Sequence, residues 1–271
     1  METTELIYND QALVTQANEI IRARQDDFTL LEAKLLRLTI SQIANQETDF
    51  RTYICKVSEL AAFLNIPPEN IYRDIDSLTT NLMNRVIRLV DKTQKPKRNG
   101  EFNYKKFHWV SYCAYANGEI TIRLSEEIKP FVIALDKHFT QYGIDNIIGL
   151  STSNSIRLFE LLSSYESMIN TYAPGFTPSN PFPQIQKQDN ELIFSIEYLR
   201  QYFNCADKYP LTADFIRWII LPSVKGINKN TTMRTSYRVV KEGRSISYIL
   251  FKIDAWGDLD FREFLKKHSS L

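Results

Sequence analysis

Apolar and polar positions along this chain follow two different periods, and the change from one to the other occurs twice. In "TLLEAKLLRLTISQIA", from Thr29, the residues Leu31, Leu35, Leu38 and Ile43 fall at helical spacing, which predicts an amphipathic helix. "TYICKVSELAAFLNIP" then predicts a short strand and a helix that Ser58 caps and that Pro67 and Pro68 end. A further helix is expected over "ENIYRDIDSLTTNLMNRVIRL", with Ile71, Ile75, Leu78 and Leu82 on one face and Arg73, Asp76 and Thr80 turned away from it. The period drops to two in "FHWVSYCAYANGEITIRLS", where Ile120, Ile122 and Leu124 alternate after Asn117-Gly118, a pair that tolerates the positive φ of a tight hairpin turn. "EEIKPFVIALDKHF", opened by Ser125 and with Pro130 near its first turn, predicts one more helix.

The second half runs through the same order. "TSNSIRLFELLSSYESMI" predicts a helix with Ile156, Phe159, Leu162 and Met168 apolar, and the proline-rich stretch from Thr171 to Asn190 predicts a loop. "ELIFSIEYLRQYFN" predicts a strand and a helix. Its "YLRQYFN" can be set against "ELAAFLN" of the first half, placing Leu199 beside Leu60 and Asn204 beside Asn65. A helix from Leu211 supplies Phe215, Ile216, Ile219 and Ile220 to the core, with Pro222 expected to kink it because proline removes a backbone donor. "MRTSYRVVKEGRSISYILFKI" then alternates on both sides of Glu242-Gly243, as a second hairpin would. The repeat is one of element order, not of sequence.

Helix, strand, helix, helix, hairpin is the order of the winged-helix variant of helix-turn-helix, in which a third helix enters the major groove and a hairpin wing reaches the backbone. The expectation is therefore an α+β chain of two tandem winged-helix domains related by internal duplication, residues 1–140 and 141–271. Charge sharpens that picture. The net charge of the 271 residues is +1, yet Lys208 to Lys252 holds nine basic residues against Asp214 and Glu242, which leaves −6 for the rest. Asp91 to Lys106 holds six more basic residues against two acids. Two basic segments fit a polyanion partner, because clustered Lys and Arg neutralise phosphates and release their counterions. A plain solvated surface is the alternative.

Within the second module, Lys208, Tyr209, Thr212, Ala213 and Arg217 fall before or on the first half of the third helix, where base edges are read. Ala213 offers an apolar contact, and Arg217 is suited to bidentate pairing with guanine. The alternative for Arg217 is a salt bridge to Asp214. The hairpin cations Arg234, Arg238, Lys241 and Arg244 are expected at phosphates, which position a module without reading sequence.

"SNSIRLFELLSSY", "ELIFSIEYLRQYF", "YPLTADFIRWIILPSVKGIN" and "GRSISYILFKI" recur in that order over roughly 130 residues, as they stand in this sequence. With a weaker match from Leu13, they make the chain resemble the iteron-binding plasmid replication initiators of theta replication. The resemblance implies a DNA-binding protein that is not an enzyme and needs no cofactor. Its C-terminal domain would read the iteron, and its N-terminal domain would add backbone contacts and form the dimer interface. Monomers would start replication, and dimers would repress the protein's own promoter. By position, Lys208, Tyr209, Thr212 and Arg217 would read bases, Arg234, Arg238, Lys241 and Arg244 would be wing contacts, and Arg73, Lys95, Lys97 and Arg98 would be N-terminal backbone contacts. Double-stranded iteron DNA, a second copy of the chain, the host's replicative helicase and its chromosomal initiator are the implied partners. The loop from Thr171 to Asn190 is longer than this family usually carries.

Other classes fit less well. No G-x-x-x-x-G-K-[ST] segment is present to cradle a nucleotide, and His108, His138 and His268 are dispersed, with no pair spaced for the metal of a nickase. Cys55, Cys113 and Cys205 are an odd, scattered set, consistent with reduced thiols. Met1 to Asp10 carries two glutamates and no apolar run, so no secretory signal, membrane contact or metal is expected, and the expected location is the cytoplasm. Two alternatives remain: a winged-helix transcriptional regulator, and a scaffold whose basic wings hold acidic partners.

Overall fold

The structure is a computed structural model that describes residues 3–43, 47–91, 102–165 and 190–256, together with the backbone strand Gln184–Gln186. The expected helix end at Met168, most of the loop from Thr171, and Lys95, Lys97 and Arg98 lie outside the described residues. The chain divides into two compact units, Met1–Ile148 and Gly149–Leu271. The expected boundary after residue 140 would cut a strand pairing. Strand β9 (Phe139–Gly143) is antiparallel to β2 (Leu13–Ala17), so it belongs with the first unit.

In the first unit, β1 (Thr3–Glu5) and the short helix α1 (Asn18–Ile21) flank β2, and β3 (Arg24–Gln25) follows. Helix α2 (Leu30–Ile40) is held at its start by a capping box: Thr29 accepts from the Glu32 N–H, and the Glu32 carboxylate accepts from the Thr29 N–H. Glu32 is 1% exposed and also receives Arg85 at 2.6 Å, which ties α2 to the far end of the third helix. Strand β4 (Thr52–Lys56) leads straight into α3 (Val57–Leu64), whose N-cap is Lys56 without a side-chain bond. Ser58 therefore sits inside the helix and does not cap it.

The helix expected next is two helices, α4 (Pro68–Arg73) and α5 (Ile75–Asn84), broken at Asp74. Its expected last turn is strand β5 (Val86–Val90), which pairs with β3 and with β6 (Tyr104–His108). Cross-strand bonds here outweigh helix continuation, in keeping with the β-branched "VIRLV" and its alternating burial. The hairpin β7 (Val110–Ala116) and β8 (Glu119–Leu124) turns on Asn117 and Gly118 at φ 52° and 82°, and Ile120, Ile122 and Leu124 are buried as expected. The helix expected from Ser125 is a 3₁₀ segment, Glu126–Phe131, because Pro130 has no N–H with which to continue an α-helical ladder. The helix α6 (Ile144–Ile148) closes the unit.

The second unit begins with α7 (Ser153–Ser163), capped by Thr152, whose hydroxyl accepts from the Ser155 N–H at 3.0 Å. Strand β10 (Gln184–Gln186) pairs with β11 (Glu191–Ser195), and Ser195 caps α8 (Ile196–Tyr202). A long helical stretch follows in three segments: α9 (Thr212–Phe215), a π-helical turn (Ile216–Ile220) and α10 (Leu221–Asn230). Strands β12 (Met233–Glu242) and β13 (Ser245–Trp256) form the second hairpin, with Gly243 at φ 62° in the turn. The sheets run β1-β4-β8-β7 and β10-β11-β13-β12, so each module places the strand before its helix pair against the returning strand of its hairpin.

Both cores bury large aromatic side chains, Tyr53 and Trp109 in the first unit and Phe159, Phe194, Phe215 and Phe251 in the second. Leu60 and Leu199, matched in sequence, are each fully buried. Asn65 and Asn204, matched likewise, both sit at φ 51°, the left-handed region that ends each second helix. Burial pushes the thiol of Cys55 up to about 11 and that of Cys113 up to about 12, so neither ionises near neutral pH.

Candidate nucleic-acid interface

The long helix of the second unit carries a proline in its interior. Pro222 cannot donate to the Trp218 carbonyl four residues back, and just before it the ladder widens: the Leu221 N–H bonds to the Ile216 carbonyl, five residues earlier. The helix therefore runs on past the proline instead of ending. Phe215, Ile219 and Ile220 face the core, while Ile216 is half-buried, so the expected apolar face is narrower by one residue. Gly226 allows close packing on α7, since a Cβ there would stand 3.1 Å from the Ser155 hydroxyl. Asn228 locks the helix to the wing: its amide donates to the Thr235 carbonyl at 2.7 Å, and its carbonyl oxygen accepts from the Thr235 N–H at 2.7 Å.

Between α8 and α9 the chain makes a loop that one side chain organises. The Arg200 guanidinium donates to the Lys208 carbonyl and to the Tyr209 carbonyl, both at 2.6 Å, and lies 5.2 Å from the centre of the Phe215 ring. Tyr209 sits at φ 57°, a conformation that costs a bulky residue on the order of 1–2 kcal/mol and that these charge-assisted bonds offset. Arg200 is absent from the sequence-derived set. Its one signal there is position: it is a cation set against Ala61 of the first module, which is buried.

The candidates of the second unit differ in how far they reach solvent. Lys208, Ala213 and Arg217 are exposed, and Tyr209 and Thr212 are half-buried at the start of the helix. Arg217 does not pair with Asp214; its guanidinium lies 5.1 Å from the centre of the Trp218 ring. Trp218 is 57% exposed and Leu211 66%, two large apolar side chains on the outer side of a helix whose inner side is packed. Sequence pattern did not single them out, because an apolar residue in an apolar run reads as core. On the hairpin, Lys241 and Arg244 are exposed at the tip and form no ion pair among the described residues. Arg234 is turned back onto the carbonyls of Thr231 and Met233 at 2.6 and 3.0 Å, and Arg238 reaches Glu191 at 3.4 Å.

In the first unit the corresponding helix α5 carries Asp76 and no Lys or Arg. Arg73, at the end of α4, is bound through two nitrogens to both carboxylate oxygens of Asp74 at 3.0 Å. Those bonds hold the Asp74 carboxyl below the usual carboxylate range and oppose the charge of the guanidinium. Among the described residues no three His, Cys, Asp or Glu side chains gather to hold a metal ion, and no helix is long and apolar enough to cross a membrane.

Comparison with known proteins matches this geometry to one family. The family model described as "Initiator Replication protein, WH1" matches residues 13–163, and "Initiator Rep protein, WH2" matches residues 195–253. A curated "Replication initiation protein" of Escherichia coli is 22% identical over 254 residues, covering 92% of this chain and 72% of that protein. A solved structure, "Crystal structure of Pi initiator protein in complex with iteron DNA", is similar with a TM-score of 0.65 at 20% identity, over 90% of this chain and 98% of that one. At that identity the likeness speaks for the fold: two winged-helix domains in tandem.

Proposed function

Because the chain belongs to the initiator replication protein family, with a WH1 and a WH2 domain, we propose that it binds iterons, short direct repeats at a plasmid origin, and starts replication there. The observation that carries this reading is the outer surface of the second unit's long helix. It presents Arg217 without a carboxylate partner among the described residues, and the hairpin that follows holds Lys241 and Arg244 exposed at its tip. Arg217 and Lys208 would read base edges at the start of that helix, with Tyr209, Thr212 and Ala213 against the same base pairs. Lys241 and Arg244 would hold phosphates, joined by Arg234 and Arg238 once their present partners are displaced.

The first unit would add backbone contacts, through Arg73, Lys95, Lys97 and Arg98, and would form the interface of a dimer that represses the protein's own promoter. Host helicase and chromosomal initiator would be recruited to the monomer on the iterons. The test is fluorescence anisotropy of the wild-type protein on a duplex carrying a direct repeat from beside its own gene, against a scrambled duplex, at two salt concentrations. Binding tighter by about a thousandfold or more to the repeat is the expected result. Equal, steeply salt-dependent binding to both would reduce the basic surface to a general polyanion site and overturn the reading.

A further inference from the structure

Among the described residues, the first unit contains a sheet that the second lacks. Between its third helix and its hairpin, the first unit inserts β5 and β6, which pair with β3 into a three-stranded sheet, whereas in the second α10 leads to β12 after two residues. The register of that insert puts cations in a row: Arg24 lies opposite Arg88, and Arg88 opposite Lys106. One step along, Gln25 and Ile87 are buried and Phe107 is half-buried, so the row stands on the solvent face. Tyr104 is two residues from Lys106 on the same strand face and is 48% exposed. The Arg88 guanidinium is 4.0 Å from the centre of its ring and the Lys106 ammonium 5.5 Å, so one ring holds two cations that would otherwise repel.

Neither Arg88 nor Lys106 forms an ion pair among the described residues. Asp26, the acid at the end of this face, already accepts from the Val86 N–H at 3.0 Å. At about 4.8 Å between strands the row is roughly 10 Å long, close to the rise of three base pairs.

We propose that the solvent face of the β3-β5-β6 sheet, centred on Arg88, Lys106 and Tyr104, binds the phosphodiester backbone of duplex DNA and is a further backbone contact of the first unit. The proposal rests on the DNA-binding reading above and adds a contact away from the third helix. Helix α5 has no cation, and Arg73 is already held by Asp74, so neither offers a phosphate what the sheet offers. Phosphate contacts carry no sequence information, so the strip adds affinity without preference.

The test is a salt titration of the full chain on the repeat and scrambled duplexes, comparing wild type with Arg88→Ala/Lys106→Ala and with the charge-preserving pair Arg88→Lys/Lys106→Arg. Each neutralised phosphate contributes about 0.9 to the slope of log affinity against log salt. The alanine pair should therefore flatten the slope by roughly 2 on both duplexes and leave the ratio between them unchanged, while the charge-preserving pair keeps the wild-type slope. An unchanged slope in the alanine pair, as expected if the strip serves an acidic protein instead, would overturn the proposal. So would a loss of slope in the charge-preserving pair, which would trace the effect to folding. Wild-type protein that binds both duplexes alike would sink the iteron reading, and the slopes would still judge the strip.

Discussion

The two modules build one frame from dissimilar sequences: β4-β8-β7 in the first and β11-β13-β12 in the second, each with a left-handed asparagine ending the second helix. They part at the turn and the helix that follow. In the first, Ile66 and Pro67 alone join Asn65 to α4, and the third helix offers Asp76, Ser77 and Thr80 to solvent. In the second, a longer loop is held by Arg200, and the third helix offers Arg217, Trp218, Lys225 and Lys229. The frame depends on where apolar side chains fall, which many sequences satisfy. Contact with a polyanion depends on which exposed positions carry charge, and there the two copies have diverged.

Several substitutions would break or sharpen this contrast. The largest effect is expected at Arg200, since Arg200→Ala removes two charge-assisted bonds and the cover of Phe215. Hydrogen bonds to charged groups contribute about 1.5–3 kcal/mol each, so affinity for the repeat should fall more than tenfold while the salt slope, which counts phosphates, changes little. Arg200→Lys should recover part of the affinity; a flattened slope in Arg200→Ala would mean that Arg200 touches DNA itself.

Next comes the wing. Lys241→Ala should weaken binding to repeat and scrambled duplexes about equally and lower the slope by roughly 1. A selective loss on the repeat would make Lys241 a base reader. The smallest effect is expected at the shared feature: Asn65→Ala and Asn204→Ala should each cost about 1 kcal/mol in urea unfolding, because alanine is strained at φ 51°. Glycine at either site should cost less, and a large difference between the two sites would show that the turns are not equivalent.

Where the fold could be read from the chain, the cue was local. Asn117-Gly118 announced its hairpin, the spacing from Leu31 announced α2, and the order of periods announced the duplication. Where reading failed, a distant partner decided. The expected single helix from Glu69 breaks at Asp74 and ends as β5, because β3 and β6 compete for its last residues. The row Arg24, Arg88 and Lys106 is invisible in sequence for the same reason, its members being brought together by register alone. Arg200 could not be placed without the loop that it holds. Of the cations that were expected to contact DNA, the chain's pattern gave the exposure of Lys241 and Arg244 but not the inward turn of Arg234.

The asymmetry between the modules is the central claim, and matched substitutions in the two third helices test it most directly. The ratio of affinities for repeat and scrambled duplex should be measured for Arg217→Ala and Thr80→Ala in the full chain. The account predicts that Arg217→Ala lowers discrimination by roughly 1–3 kcal/mol, while Thr80→Ala leaves it unchanged. Equal losses, or a loss at Thr80 alone, would contradict it and give the reading of sequence to the first module.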